Sequence, residues 1–275
     1  MREFCVEGHE ASLLPDGNWK MVWNDEFDGT ELDRTKWDYR LSMMGRRHPA
    51  WTDKGVQLDG KGNAVFSILM EDGRPVSSQL QTGYNFMDEP VTSTKFGLDA
   101  LQWNIGKLKQ SLYTHKYGYY ECRCKFQKYP EGWWSAFWMQ SPIIGASLDP
   151  AETGSELDIM EYFHKGKVSR HCIWTGGYGL DCKGASDGGM ENLDTEVFHR
   201  FGMLWTETSY TFYIDGVENG RVDKYVSQRP EFILISTEVV GYRNEDHLPV
   251  KEAFDIVGKD VFIVDYVRVF DAVKP

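Results

Sequence analysis

Apolar and aromatic residues fall in short runs along this chain, each bounded by turn-forming residues. Val65-Phe66-Ser67-Ile68-Leu69 follows the turn-rich stretch Asp59-Gly60-Lys61-Gly62-Asn63. From Tyr117 to Phe126, aromatic, small and charged residues alternate. Tyr210-Thr211-Phe212-Tyr213-Ile214 runs into Asp215-Gly216, a hairpin signal because both turn positions accept a positive φ. Phe232 to Ser236 and Val261 to Phe270 are short, apolar and β-branched. Long helical periodicity is lacking, and so is a repeat of 20–50 residues. Many short strands between frequent turns predict an all-β sandwich or barrel. Residues 1–17 read as a loose leader, and 18–275 as one domain. The Gly-rich, polar stretch from Ile173 to Val197 reads as a long functional loop.

Composition narrows the function. About two fifths of the 275 residues are apolar, enough for a substantial core, and the formal net charge is −12. An acidic chain is a poor partner for nucleic acid, although Arg46-Arg47-His48 forms a local basic patch. No apolar run is long enough to span a membrane, and the chain opens without a signal-peptide core. It is therefore expected either in the cytoplasm or secreted with its leader removed. Five cysteines give no disulfide framework. Cys122 and Cys124 share one strand face and read as core thiols, whereas Cys172 and Cys182 are able to pair across a Gly-rich loop.

The densest candidate chemistry is Gly154-Ser155-Glu156-Leu157-Asp158-Ile159-Met160-Glu161-Tyr162. On a helix, Glu156 and Glu161 would lie about 140° apart and would not meet. On a regular strand, Glu156 and Asp158 share a face and Glu161 points away. A β-bulge near Ile159-Met160 restores the phase and puts all three carboxylates on one face. Two Glu side chains leaning together could then approach to about 5–5.5 Å, the spacing of a retaining glycosidase. The charge of Asp158 between them would raise a neighbour's proton affinity.

Glu156-Leu157-Asp158-Ile159-Met160-Glu161 resembles the bulged catalytic signature of glycoside hydrolase family 16. Further blocks resemble that family in the right order. They are Met21 to Gly29, Tyr117 to Arg123, Gly132 to Met139, Phe198-His199, Trp205, Phe212 to Gly216, and Asp265 to Phe270. The resemblance implies a concanavalin-like β-jelly roll, two antiparallel sheets with a concave substrate cleft. It implies Glu156 as nucleophile, Asp158 as assisting acid and Glu161 as acid/base, cutting inside a β-linked glucan or galactan with retention. The expected partner is a polysaccharide or oligosaccharide, bound by a monomer that requires no cofactor.

Trp134 and Trp138 share a strand face and, by the resemblance, flank sugar in the cleft, while Trp133 points to the core. Trp51 and Trp103 are weaker candidates. On the strand after the signature, His171 or Trp174 takes the place where relatives carry a cleft histidine. Glu26 and Asp265 resemble positions that hold a structural calcium in some relatives. Thr237-Glu238 stands where laminarinases have an Asn-Leu-Ala-Val-Gly-Gly stretch, which makes Glu238 a substrate-binding candidate and leaves galactan beside glucan. The same fold also hosts lectin-like proteins without activity, and transglycosylases using the same residues.

Overall fold

The computed structural model describes residues 1–89, 95–98, 101–104, 108–147, 149–164, 167–169, 172–175, 184–185, 189–244 and 246–273, with only the backbone for 95–98, 101–104, 164, 169 and 172–175. Two large antiparallel sheets dominate. Among the described residues one sheet, called the cleft sheet, has nine strands, ordered from Gly184–Ala185 through Cys172–Thr175, Ser155–His164, Trp133–Gln140, Phe232–Val239 and Gln79–Gln81 to Asp38–Tyr39, with Lys167–Ser169 and then Gly189–Glu191 branching from Ser155–His164. The back sheet has eight, centred on Gly118–Lys125 and Phe262–Ala272. Antiparallel pairing lets each sheet keep one apolar face inward and one face outward.

Period-two alternation positions the cleft. On the Trp133–Gln140 strand, Trp133, Phe137 and Met139 belong to the core between the sheets. Trp134, Ala136, Trp138 and Gln140, one position out of phase, line a cavity on the other face. On the back sheet, Tyr120, Cys122 and Cys124 enter the same core, where small thiols pack as hydrophobes. The Tyr210–Ile214 strand ends in Asp215-Gly216 with φ of 48° and 78°. Both turn residues are left-handed, as the hairpin signal requires.

Two expectations change. Residues 1–17 are not loose: Arg2–Phe4 and Ser12–Leu14 form a hairpin seated on the back sheet. The Leu13 amide donates to Glu121 at 3.0 Å, and Arg200 and Arg268 donate to the carbonyls of Ala11 and Glu10. These charge-assisted bonds recruit a backbone that sequence patterning leaves unassigned. The stretch from Ile173 to Val197 is not wholly loop either. Cys172–Thr175 pairs with Ser155–His164, and Gly189–Glu191 pairs with Lys167–Ser169, so backbone hydrogen bonding extends the cleft sheet sideways.

Candidate active site

The Ser155–His164 strand carries the carboxylates. Its register against Trp133–Gln140 sets Glu156 opposite Gln140, Asp158 opposite Trp138, Met160 opposite Phe137 and Glu161 opposite Ala136. Ile159 is the extra residue, at a register shift between Phe137 and Trp138. Ile159 and Met160, though adjacent, both enter the core with Leu157 and Tyr162. Glu156, Asp158, Glu161 and Phe163 therefore all line the cavity. The bulge falls where the spacing of the acids predicts it.

The cavity has a volume of about 570 Å³, within the usual range for ligand sites. Trp134, Trp138 and Glu238 line it, and so does Trp51. Trp174 is the register partner of Glu156. Its side chain, His171, and the side chains of Trp103, Cys172 and Cys182 lie outside the described residues.

The rings are not bare platforms. Trp134 packs against Phe163 at 4.9 Å and under the Arg243 guanidinium at 4.8 Å. Arg40 lies 5.2 Å from the Trp138 ring and 5.3 Å from the Trp51 ring, whose neighbour His48 stacks at 4.2 Å. Burial lowers the His48 imidazole to about 4, so it is neutral at pH 7. The Trp138 indole donates to Ser236 Oγ at 2.9 Å. Each arginine is matched by a carboxylate: Arg40 with Asp88 at 2.6 Å, and Arg243 with Glu238 through bonds of 2.7 and 2.8 Å.

The acids sit in different environments. Gln140 Nε2 donates to Glu156 Oε2 at 2.8 Å. Glu161 is pushed up to about 7, chiefly by burial and then by the negative charge of Glu156, with Glu238 adding to the rise. Arg243 and the Trp134 indole N–H, which has no hydrogen-bond partner of standard geometry, pull it back down. Beneath the strand start, buried Glu231 accepts from the Ser155 amide at 2.9 Å and is raised to about 8 by burial. A carboxylic acid kept protonated near neutrality is fitted to donate a proton.

Sequence reasoning missed Arg40, Asp88, Gln140, Glu231 and Arg243. Extending the Trp134–Trp138 alternation by one step would have found Gln140. The others come from loops or from behind the strand, where no period points to them.

Glu26 and Asp265 do not fit a calcium site. Arg268 donates to both Glu26 oxygens, at 2.8 and 2.6 Å, and Arg123 donates to Asp265 at 2.6 Å. Calcium needs six to eight oxygen ligands, and two guanidinium ions would repel it. Among the described residues no group of three or more His, Cys, Asp or Glu gathers to hold a metal.

Two antiparallel sheets and a cleft lined by three carboxylates phased by a bulge define an all-β sandwich with an acidic cleft. The profile of Glycosyl hydrolases family 16 matches residues 76–238, and the chain belongs to that family. It is 26% identical over 91% of its length to glucan endo-1,3-beta-glucosidase A1 of Niallia circulans. It is 28% identical over 70% of its length to beta-porphyranase E of Zobellia galactanivorans. The chain spans 37% and 65% of those two relatives. Among solved structures, the catalytic domain of an endo-1,3-beta-glucanase from Thermotoga petrophila RKU-1 superposes with a TM-score of 0.66. That match has 21% identity, covering 94% of this chain and all of that one. The laminarinase from Rhodothermus marinus gives the same TM-score at 21% identity, with 94% and 100% covered. Both share the fold.

Proposed function

We propose that this chain hydrolyses a β-linked polysaccharide internally, with retention of anomeric configuration, by double displacement between Glu156 and Glu161. The observation that carries this reading is the bulged strand, which turns both glutamates and Asp158 into one cavity while burial holds Glu161 protonated near neutrality. The Glu156 carboxylate attacks the anomeric carbon and forms a glycosyl ester. Glu161 gives its proton to the departing oxygen. Water then attacks the ester, Glu161 takes its proton, and Glu156 leaves. Gln140 orients Glu156, and Asp158 steadies it from two residues away on the same face. The protein works as a monomer, and Trp134, Trp138 and Glu238 contact the glycan. Names among the relatives mention 1,3-β-glucan and porphyran, so the substrate is a β-glucan or a β-galactan.

Incubation with laminarin, mixed-linkage glucan and porphyran should release oligosaccharides from one class, with the β-anomer formed first by NMR. An initial α-anomer would overturn the retaining mechanism. Glu161→Ala, given azide and an activated aryl oligosaccharide, should yield a β-glycosyl azide. An α-azide would exchange the two roles.

A further inference from the structure

Arg243 stands outside the three-carboxylate signature, on the segment that folds back after the Phe232–Val239 strand. Three contacts fix its position. Glu238 accepts from Nε at 2.7 Å and from Nη2 at 2.8 Å, and the guanidinium lies 4.8 Å from the Trp134 ring. A bidentate pair on an aromatic face is a rigid mount for a positive charge. Glu238 is the register partner of Trp134, and Glu161 is the register partner of Ala136, two residues further along the same strand and on the same face. Glu238 and Glu161 thus flank the Trp133–Gln140 strand on opposite sides, and both line one cavity with Trp134 and Arg243.

Among the described residues, Arg40 also lines the cavity, and the charged neighbours on the adjoining strands are negative. Glu156 and Asp158 share its strand and face, and Glu238 comes from the strand beyond Trp134. Its partner on the other side, Ser169, is uncharged. Arg243 is a cation that offsets these groups at Glu161. The guanidinium has five N–H donors, of which Glu238 takes two. Its side chain is 58% exposed, at the wall shared by the cleft and an adjoining cavity of about 450 Å³ that Glu131 and Asn244 also line.

We propose that Arg243, mounted by Glu238 and Trp134, is the positioning residue for Glu161, stabilising the carboxylate left when Glu161 hands its proton to the leaving oxygen. The proposal rests on Glu161 being the acid/base. Burial and Glu156 make Glu161 a reluctant acid. A fixed cation beside it lowers the cost of the charge that appears at the transition state, when it counts for rate. In the second half-reaction the same cation keeps the carboxylate ionised until water approaches.

The test is the pH–rate profile of the full chain on its polysaccharide and on an activated aryl oligosaccharide. Arg243→Met should shift the alkaline limb upward by about one pH unit, as expected on losing a close opposite charge. It should slow polysaccharide cleavage by ~10- to 100-fold, and the activated substrate less, since the latter leaves without a proton. Arg243→Lys, which keeps the charge, should leave the limb near its wild-type position. Arg243→Met strands the buried Glu238 carboxylate, so the double variant Glu238→Gln/Arg243→Met serves where the single one fails to fold; its upward shift is expected to be smaller, because the charge of Glu238, which raises Glu161 less than Arg243 lowers it, is lost as well. An alkaline limb unmoved in either Met variant, while Glu161→Ala abolishes it, overturns the proposal and leaves the acid/base reading intact. A limb that survives in Glu161→Ala overturns the reading itself.

Discussion

The two sheets each carry a bidentate arginine–glutamate pair of nearly the same bond lengths, in opposite settings. On the back sheet Arg268 donates to Glu26 at 2.8 and 2.6 Å, lies 3.6 Å from the Tyr266 ring, and is 0% exposed. Further donors on the same guanidinium bind the Glu10 carbonyl and Ser12 Oγ, so the pair also fastens the N-terminal hairpin. Burial alone would raise Glu26, and the bonds from Arg268 and Asn24 outweigh it, so the carboxyl is held below its ordinary range. On the cleft sheet Arg243 holds Glu238 at 2.7 and 2.8 Å, yet more than half of its side chain meets solvent. The sealed pair commits its guanidinium to Glu26, the Glu10 carbonyl and Ser12, which leaves little to offer a ligand. The open pair keeps donors in reserve beside an acid. Bond geometry alone does not separate a structural pair from a functional one; what surrounds the pair does.

Changes on the cleft face should alter turnover and spare stability, and changes on the back face should do the reverse. Glu156→Gln gives the largest effect: turnover of the polysaccharide falls at least ~10³-fold, because an amide is a poor nucleophile. The melting temperature should stay near that of the wild type, and a reducing-sugar assay beside a thermal melt reads both halves. Substantial residual activity would remove Glu156 from its role. Arg268→Met comes next. It leaves Glu26 buried without its partner and should cost about 3–5 kcal/mol in denaturant unfolding. The folded fraction should keep its pH–rate profile. If that profile moved instead, the division between the two faces would fail. Adding Glu26→Gln to Arg268→Met should recover part of the loss.

The smallest expected effect lies beneath the cleft. Glu231 has its folded pKa raised from an ordinary 4.5 to about 8. A carboxyl raised in this way contributes stability that is full below pH 4.5 and is lost as pH rises through 8. Glu231→Gln keeps a carbonyl oxygen for the Ser155 amide and should flatten that part of the stability curve. An unchanged slope between pH 5 and 8 would show that another group titrates there.

The cleft strands were legible in the sequence because their chemistry is periodic. Trp134 and Trp138 repeat at the strand period, and the acids break that period by one residue, which located the bulge. The back-sheet strands were legible for the same reason. Arg243, Arg40 and Asp88 were not, since they reach the cleft from segments whose path depends on the finished fold. Glu231 precedes an apolar strand as any solvated acid might, and its burial is decided by the Gly154–Ser155 backbone packed against it. The N-terminal hairpin was misread because Glu121, Arg200 and Arg268, more than a hundred residues away, supply its partners. The pairing of Glu26 and Asp265 with arginines was not legible for a like reason: Arg268 and Arg123 are distant from them in sequence or unremarkable there.

The extra residue at Ile159 acts like a shim under a tool. Without it, Glu156, Asp158 and the next glutamate would fall at plain alternate positions and still face the cleft. Facing is thus not what the insertion supplies to the finished strand. It places two adjacent apolar side chains, Ile159 and Met160, in the core between Asp158 and Glu161 along the strand. A bulged strand also twists more than a regular one. The spacing of Glu161 from Glu156 is therefore open to retuning from below, through the volume of two buried side chains that do not line the cavity.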